Sequence, residues 1–508
     1  VGQAFSRFGI ELPEYAFPNL RDVRTIERGV SQYYAAGERR SDVEGHRNGR
    51  LGCDGQSKDW LLKQLRKKFG RYVQGHKVGR HVNISMVSKT SFPGFSYNTQ
   101  YEKFEDFVAL DQKHYYELLL YIANGGRDYV PFNVFIKDEP TKISKLVTFD
   151  ARNITAPTAA ERMLQVAIFS DFNNRVKDSA PFTEIQCEFN KWNGGFAKLY
   201  TRARRKLGGR FFYYDNRDYP KYDRSLPNEI RDVVFEFFKE TAAPIGGFWM
   251  QAMEFCYSRQ KESNLMDMAG HVWSKENGMA SGDFCTSVWN SLVHFCLRLL
   301  EFREQYPEIA EDWEEFLQFY VAGDDYQGIS IVPPPSDQFM AEFYGRFGML
   351  TDPDKRNVST ELEGQKFLGC RLVFVGGAAQ FTLEPKRALA NLLYCTKDDD
   401  EMAQVIDALL AECWHDNKIR NMLLFLRGET YPQFYEWRTL WDIRMMHMFV
   451  ESARSAGYPG QNRDGEKGRK EEGCVYRSEK PKAAEEGKFE KCEEEQPSYC
   501  RESGCPFC

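Results

Sequence analysis

The chain holds 508 residues, 42% of them hydrophobic and 15% aromatic, and its 68 Lys and Arg against 74 Asp and Glu leave a formal charge of −6. That composition excludes a wholly disordered, collagenous or coiled-coil chain and supplies apolar material for about three domain-sized units. It also excludes a globally basic nucleic-acid coat, though not a local basic channel, and no apolar run of about 18 residues marks a membrane-spanning helix.

The chain opens Val1-Gly2-Gln3, without Met and without a signal-peptide core, which fits either a piece cut from a longer precursor or a trimmed fragment. The first 210 residues are mixed. They carry basic clusters at 63–71 and 202–206. From 210 to 380, short aromatic or β-branched runs alternate with amphipathic stretches, an α+β pattern. Strands are predicted at 211–214, 319–321 and 372–375, and helices at 229–240 and 284–301. Residues 384–456 read as helical, with Val405, Ile406, Leu409, Leu410, Cys413 and Trp414 on one stripe and a stop at Gly428.

A boundary falls near Gly457-Tyr458-Pro459-Gly460. Beyond it the sequence is charge-dense and lacks Leu, Ile and Met, so 459–508 is predicted to be a mostly disordered tail. Cys492, Cys500, Cys505 and Cys508 there could supply four thiolates to zinc, but the spacings fit no common zinc module. The eight cysteines before residue 459 include no C-x-x-C pair and read as reduced, buried thiols of a cytosolic protein.

The strongest chemical cue is Gly323-Asp324-Asp325, with apolar runs on both sides. It reads as a β-hairpin whose tip projects two carboxylates, hard oxygen ligands suited to Mg²⁺. The aromatic run at 211–214 leads into Asp218-Tyr219-Pro220-Lys221-Tyr222-Asp223. A strand ending at Asp218 could bring a third carboxylate to that tip. Such a cluster can hold two cations about 3.5–4 Å apart and stabilise both oxygens of an in-line phosphoryl displacement. Between the two acidic segments, Ser281-Gly282-Asp283 leads into a helix on which Thr286 and Asn290 share a face. Asn both donates and accepts, which suits reading a ribose hydroxyl, while Ser281 or Asp283 could equally serve as a helix cap.

Taken in order, Asp218-x4-Asp223, Ser281-Gly282-x3-Thr286-x3-Asn290 and Gly323-Asp324-Asp325 resemble motifs A, B and C of RNA-dependent RNA polymerases of positive-strand RNA viruses (the picornavirus-like supergroup). The likeness extends over most of residues 85–375. Phe135-Ile136-Lys137-Asp138-Glu139-Pro140 through Arg152-Asn153-Ile154 is similar to motif F, with Asp150 standing where many picornavirus-like enzymes carry a further Lys. Thr90-Ser91-Phe92-Pro93-Gly94-Phe95 resembles motif G, Phe347 through Lys355 motif D, and Phe367-Leu368-Gly369-Cys370-Arg371 a weak motif E. The segment 218–224 and Ser281-Gly282-Asp283 are also similar to nidovirus variants.

The resemblance implies a right-hand fold of fingers, palm and thumb, with an antiparallel-sheet palm and a mainly helical thumb. It implies fingers over 1–210 and 241–275, palm over 211–240 and 276–380, and thumb over 381–458, ahead of the tail at 459–508. By the same resemblance, Asp218, Asp324 and Asp325 ligate two Mg²⁺ ions, for which Mn²⁺ can substitute, and Lys355 protonates the leaving pyrophosphate. Asp223, Ser281, Thr286 and Asn290 select the ribose. Lys137, Lys145 and Arg152 meet the triphosphate, and Thr90, Ser91 and Gly94 line the template entrance. Implied partners are template and nascent RNA, nucleoside triphosphates and other viral replication proteins, in host cytoplasm at membrane-associated replication complexes.

Two other readings stand beside this one: a reverse transcriptase, and an inactive RNA-binding homologue. Reverse transcriptases usually carry an aromatic steric gate in place of an Asp223–Asn290 pair, and often Tyr-x-Asp-Asp where this chain has Ala322-Gly323-Asp324-Asp325. The intact ligand positions argue against an inactive homologue.

Overall fold

A computed structural model of the chain describes residues 2–11, 14–41, 53–79, 93–94, 103–110, 113–127, 129–189, 195–208, 212–375, 378–383, 389–390, 392–394, 399–413 and 416–430. Thr90, Ser91, the segment 431–458 and the whole Cys-containing tail lie outside the described residues.

Runs of three to six residues pair into a central sheet of order β10-β5-β9-β8, antiparallel throughout. Its strands are β5 (Tyr213–Arg217), β8 (Leu317–Ala322), β9 (Asp325–Ser330) and β10 (Asn357–Ser359). Every residue of β8 but the last is buried, because helices cover one face and the chain at 184–186 runs along its edge. The strand predicted at 211–214 occurs two residues later, and it continues to Arg217 because β9 offers partners as far as Tyr326.

A second sheet, β4-β2-β6-β7, combines β2 (Phe132–Ile136), β4 (Asn153–Ala156), β6 (Ser263–Met266) and β7 (Val272–Lys275). It is mixed, since β2 and β6 run parallel. A third, β11-β12-β13, holds β11 (Lys366–Phe367), β12 (Cys370–Val375) and β13 (Ala378–Leu383). Two short strands, β1 (Tyr15–Ala16) and β3 (Thr141–Lys142), pair near the N-terminus.

The helix Thr286–Gln305 runs through the largest core cluster, where Trp289, Leu292, Phe295 and Leu299 are fully buried among Phe69, Phe238, Trp313 and Phe319. It is apolar on nearly every side except one stripe, Ser291, His294, Arg298 and Glu301, spaced three or four apart and buried as well. The predicted helices at 229–240 and 284–301 occur as Asn228–Thr241 and Thr286–Gln305. The helices Asp399–Cys413 and Asn417–Thr430 pack on Ala4 and Phe5 from the N-terminal helix Gly2–Arg7. The second of them continues through Gly428 rather than stopping there; a single glycine in a last turn costs only about 1 kcal/mol.

Cys53, Cys187, Cys256, Cys285 and Cys296 are buried thiols outside any disulfide. Burial pushes the Cys256, Cys285 and Cys296 thiols far above their usual range, so they are unreactive core residues. Among the described residues no helix is long and apolar enough to cross a membrane.

The basic run at 63–68 forms ion pairs within the chain, three at the surface and one, that of Lys68, largely buried. Lys63 pairs with Glu311 at 2.8 Å, Arg66 with Glu240 at 2.6 Å, Lys67 with Glu314 at 3.0 Å and Lys68 with Glu184 at 2.6 Å. Arg202 is spent on the carbonyls of Pro181 and Thr183, and Lys206 on Gln318 and Glu314. The acidic partners lie more than a hundred residues away in the sequence.

Candidate active site

In the central sheet, Ala322 pairs with Asp325, so Gly323 and Asp324 alone form a two-residue turn. Gly323 takes φ +65°, whereas Asp324 keeps a negative φ, the pattern of a type II′ turn that places glycine first. One acidic side chain therefore sits in the turn, and Asp325 opens the returning strand. Arg217 pairs with Tyr326, and carrying that register one residue further sets Asp218 across from Asp325. The convergence expected from the sequence follows from this strand order, which lays β5 directly beside β9.

The turn is also held from behind. The Gly323 N–H donates to Ser291 Oγ at 2.7 Å, and the Gly323 carbonyl lies 2.9 Å from His294 Nδ1. Burial lowers the His294 pKa from 6.5 to about 4, so at neutral pH its ring is uncharged and Nδ1 carries the proton that bonds the carbonyl. Tyr219, Tyr222 and Tyr326 pack around that imidazole. Neither Ser291 nor His294 stands out in the sequence as a site residue. The signal that could have found them is the polar stripe 291–294–298–301 in an otherwise apolar helix.

The carboxylates feel one another. Asp324 is open to solvent at the surface, yet enough protein rings its carboxyl that partial desolvation, and then the Asp218 charge, raise its pKa. Asp223 is raised from 3.8 to about 6 by burial first and the Asp324 charge second, against the lowering pull of Arg152, Arg224 and the Asn290 amide. Lys355 Nζ lies 2.8 Å from Asp218 Oδ2 and 2.9 Å from Asp352 Oδ2. Partial burial opposes its charge, but these bonds hold its pKa above the ordinary lysine value.

Among the described residues no three His, Cys, Asp or Glu side chains stand together as a preassembled metal-ligand cluster. The donor set nevertheless fits a hard divalent cation. The Asp218 charge disfavours ionisation of Asp324, a cost that positive charge between the two relieves, and the Lys355 ammonium already takes a cation's place on Asp218.

Asn290 Nδ2 donates to Asp223 Oδ1 at 2.6 Å, joining two residues expected to act on the ribose. The other two serve the main chain. Thr286 Oγ1 donates to the Ala280 carbonyl at 2.7 Å, and Ser281 Oγ accepts the Thr155 N–H at 3.2 Å. The loop 276–283 is held against both neighbours: Met279 N–H donates to Asp223 O at 2.6 Å and Gly282 N–H to Thr155 O at 2.8 Å. A Cβ on Gly282 would come within 2.8 Å of Ala156 Cβ, so only glycine fits that approach. Neither Ser281 nor Asp283 caps the following helix at its N-cap position, which Cys285 occupies. Asp283 is buried instead, accepting from Gln165, Gln260 and the Cys285 N–H.

Of the residues expected at the triphosphate, Arg152 faces the acidic centre closely enough to lower the pKa values of both Asp223 and Asp324. Lys137 is paired with Glu139 at 2.7 Å, and Lys145 stands exposed near Lys221. Asp150, which departs from the usual motif F lysine, forms an ion pair with Lys221 of the Asp218–Asp223 segment. Gly94 takes φ +98° and packs on the start of the helix Ala159–Asp178, where a Cβ would meet Thr158 Cα at 2.8 Å.

Comparison with known proteins agrees with this geometry. The sequence model of the family described as viral RNA-dependent RNA polymerase matches residues 55–425, well over half of the chain. The non-structural polyprotein 1AB of Human astrovirus-8 is 21% identical over 332 residues, which cover 64% of this chain and 23% of the polyprotein. That of Avian nephritis virus 1 is 24% identical over 411 residues, covering 72% of this chain and 26% of the polyprotein. That of Turkey astrovirus 2 is 26% identical over 254 residues, covering 47% and 15%. The chain thus corresponds to a minor part of each of these relatives. With the family matched across the acidic strand end, the Ser-Gly loop and the hairpin turn alike, the chain belongs to the viral RNA-dependent RNA polymerases and is an RNA-directed RNA polymerase of the positive-strand RNA virus type.

Proposed function

We propose that the chain copies an RNA template by joining nucleoside triphosphates to an RNA 3′-OH with release of pyrophosphate, at a site built on Asp218 and Asp324. The observation that carries this reading is the β5–β9 register, which brings Asp218 to the Gly323–Asp324 turn. Asp218 and Asp324, with Asp325 beside them, would hold two divalent cations, Mg²⁺ by the hardness of the oxygen donors with Mn²⁺ as a substitute. Bound there, such cations supply Lewis-acid stabilisation to the entering and leaving oxygens.

The remaining roles belong to side chains. Asp223, oriented by Asn290, accepts the ribose hydroxyl that distinguishes a ribonucleotide. Ser281 and Thr286 shape the loop that seats it. Arg152, with Lys137 and Lys145 at the channel edge, meets the triphosphate as a fork donor and two point charges. Lys355 gives its proton to the pyrophosphate as it leaves. In this reading the central sheet is the palm within 211–240 and 276–380, the segments 1–210 and 241–275 are fingers, and 381–458 is the thumb. Template and nascent RNA pass between them, Gly94 with Thr90 and Ser91 lies at the template entrance, and the enzyme works in host cytoplasm at membrane-associated complexes through other viral proteins.

Extension of a primed RNA template by the purified chain, with and without Mg²⁺ and with each nucleotide type, tests the reading. Extension with ribonucleotides only, and only with the metal, is expected; equal use of deoxynucleotides would favour a reverse transcriptase instead. Asn290→Ala is expected to narrow the preference for ribo- over deoxyribonucleotides by about tenfold, the scale of one lost hydrogen bond to a charged group. Metal affinity should stay within twofold. Equal losses in both would remove the ribose role from Asn290.

A further inference from the structure

Lys355 stands on a one-turn 3₁₀ segment, Pro353–Lys355, and is more than half exposed. On its C-terminal side the chain enters the three-residue edge strand β10, paired on one side with β5. So short a ladder at a sheet edge is weak on its own. Between the 3₁₀ turn and the strand lies Arg356, whose side chain is 7% exposed. Its guanidinium straddles the Asp215 carboxylate, with Nε 2.9 Å from Oδ1 and an Nη 3.1 Å from Oδ2, and its other Nη is 2.6 Å from Asp337. Asp215 belongs to β5, three residues before Asp218.

Asp215 is anchored in turn. Arg217 donates to its Oδ2 at 2.9 and 2.6 Å and to Glu301 at 2.6 and 3.0 Å. Glu301 also accepts from Arg298 at 2.8 Å and from the Tyr344 hydroxyl at 2.7 Å. Tyr219, next to Asp218, donates to Tyr344 at 3.0 Å, while Tyr326, two residues past Asp324, receives Arg298 Nε at 2.8 Å. Three guanidinium groups thus balance the carboxylates of Asp215, Glu301 and Asp337. A buried ion network adds little net stability over apolar packing, but a bidentate fork fixes direction as well as distance.

We propose that Arg356 is a positioning residue for nucleotide addition: its fork on Asp215 locks the Lys355 turn to the strand that leads into Asp218 and so holds the Lys355 ammonium over the reacting phosphates. The proposal rests on the acid role given to Lys355 above. Network and catalytic carboxylates are then one rigid unit, in which Arg356 touches neither substrate nor metal.

Single-turnover incorporation by the full chain tests this in a double-mutant cycle of Lys355→Met and Arg356→Gln. Lys355→Met is expected to slow incorporation about 10²-fold, the scale of general-acid catalysis. Arg356→Gln is expected to slow it at least about tenfold with the half-saturating nucleotide concentration within twofold, and the double variant should be no slower than Lys355→Met alone. If Arg356→Gln costs the same factor in both backgrounds, Arg356 acts on the fold at large and the proposal fails while the acid role stands. If Lys355→Met itself costs nothing, the acid role fails and the proposal goes with it. Arg356→Lys keeps the charge without the fork, so it guards against a folding defect in the Gln variant. It is expected to melt at the parent temperature yet recover only part of the rate, and full recovery would overturn the need for a fork.

Discussion

Asp324→Asn leaves a folded protein that adds nucleotides about 10³-fold more slowly, and Asp218→Asn does the same, the scale expected when a group that stabilises developing charge is lost. Asp324 occupies a surface turn and Asp218 the first position beyond β5, so neither substitution empties core volume. Asn keeps the shape and removes the charge. In the absence of metal the Asp324→Asn protein should melt no lower than the parent, because a carboxyl whose pKa is raised by burial and by Asp218 is costly to ionise in the fold at neutral pH, and the amide relieves that cost. Loss of synthesis together with unchanged melting is the expected pair of results. Lowered melting in proportion to lost activity would reassign both residues to the fold.

His294→Phe is expected to remove a pH dependence as well as activity. In the folded chain this imidazole titrates near about 4, against 6.5 when free, because it is buried. Between those values the unfolded chain binds the proton and the folded chain does not, so stability is lost as pH falls from 6.5 towards 4. The full extent is on the order of 3 kcal/mol. Denaturant melts of parent and variant across that window should therefore converge as the pH drops. Parallel curves would mean that His294 does not titrate with folding. His76, also buried and lowered to about 4, contributes the same slope to both proteins and cancels in the difference. On activity, Phe fills the ring's space but leaves the Gly323 carbonyl without its donor, so the turn loosens and incorporation falls by about one to two orders of magnitude. His294→Asn retains an N–H donor and should fall between parent and Phe.

The parts of this site that were legible in the sequence share a local cause. The hairpin at 323–325 announced itself through apolar runs on both sides of a Gly-Asp turn, and the helix after Ser281-Gly282 through its apolar density. Strand pairing then fixed the rest: once β5 lies beside β9, Asp218 has one place to go. What was not legible depends on distant partners. The Lys63–Lys68 run shows its charges in one dimension, but not the Glu184, Glu240, Glu311 and Glu314 carboxylates that pair with them. Nothing in the sequence marks Arg356, whose partner Asp215 lies 141 residues earlier.

An intermediate case is the stripe Ser291, His294, Arg298 and Glu301. Its period was visible, and a polar stripe on so apolar a helix must be buried with partners or not buried at all. The partners themselves, Gly323, Tyr326 and Arg217, come only with the packing. Ser281 and Thr286 match a substrate-reading pattern by spacing, and the structure adds that their hydroxyls bond main chain while Asp223 and Asn290 meet side chain to side chain.

In the proposed site the end of β5 and the β8–β9 turn converge to bind divalent cations between Asp218 and Asp324. Anomalous X-ray scattering from crystals of the intact chain soaked in Mn²⁺ measures this without relying on activity. The account predicts anomalous peaks bounded by the carboxylates of Asp218 and Asp324, with the Lys355 ammonium displaced from Asp218, and their loss in Asp218→Asn crystals. Peaks elsewhere on the protein with this pocket empty at saturating Mn²⁺, or peaks that persist unchanged in Asp218→Asn, would contradict it.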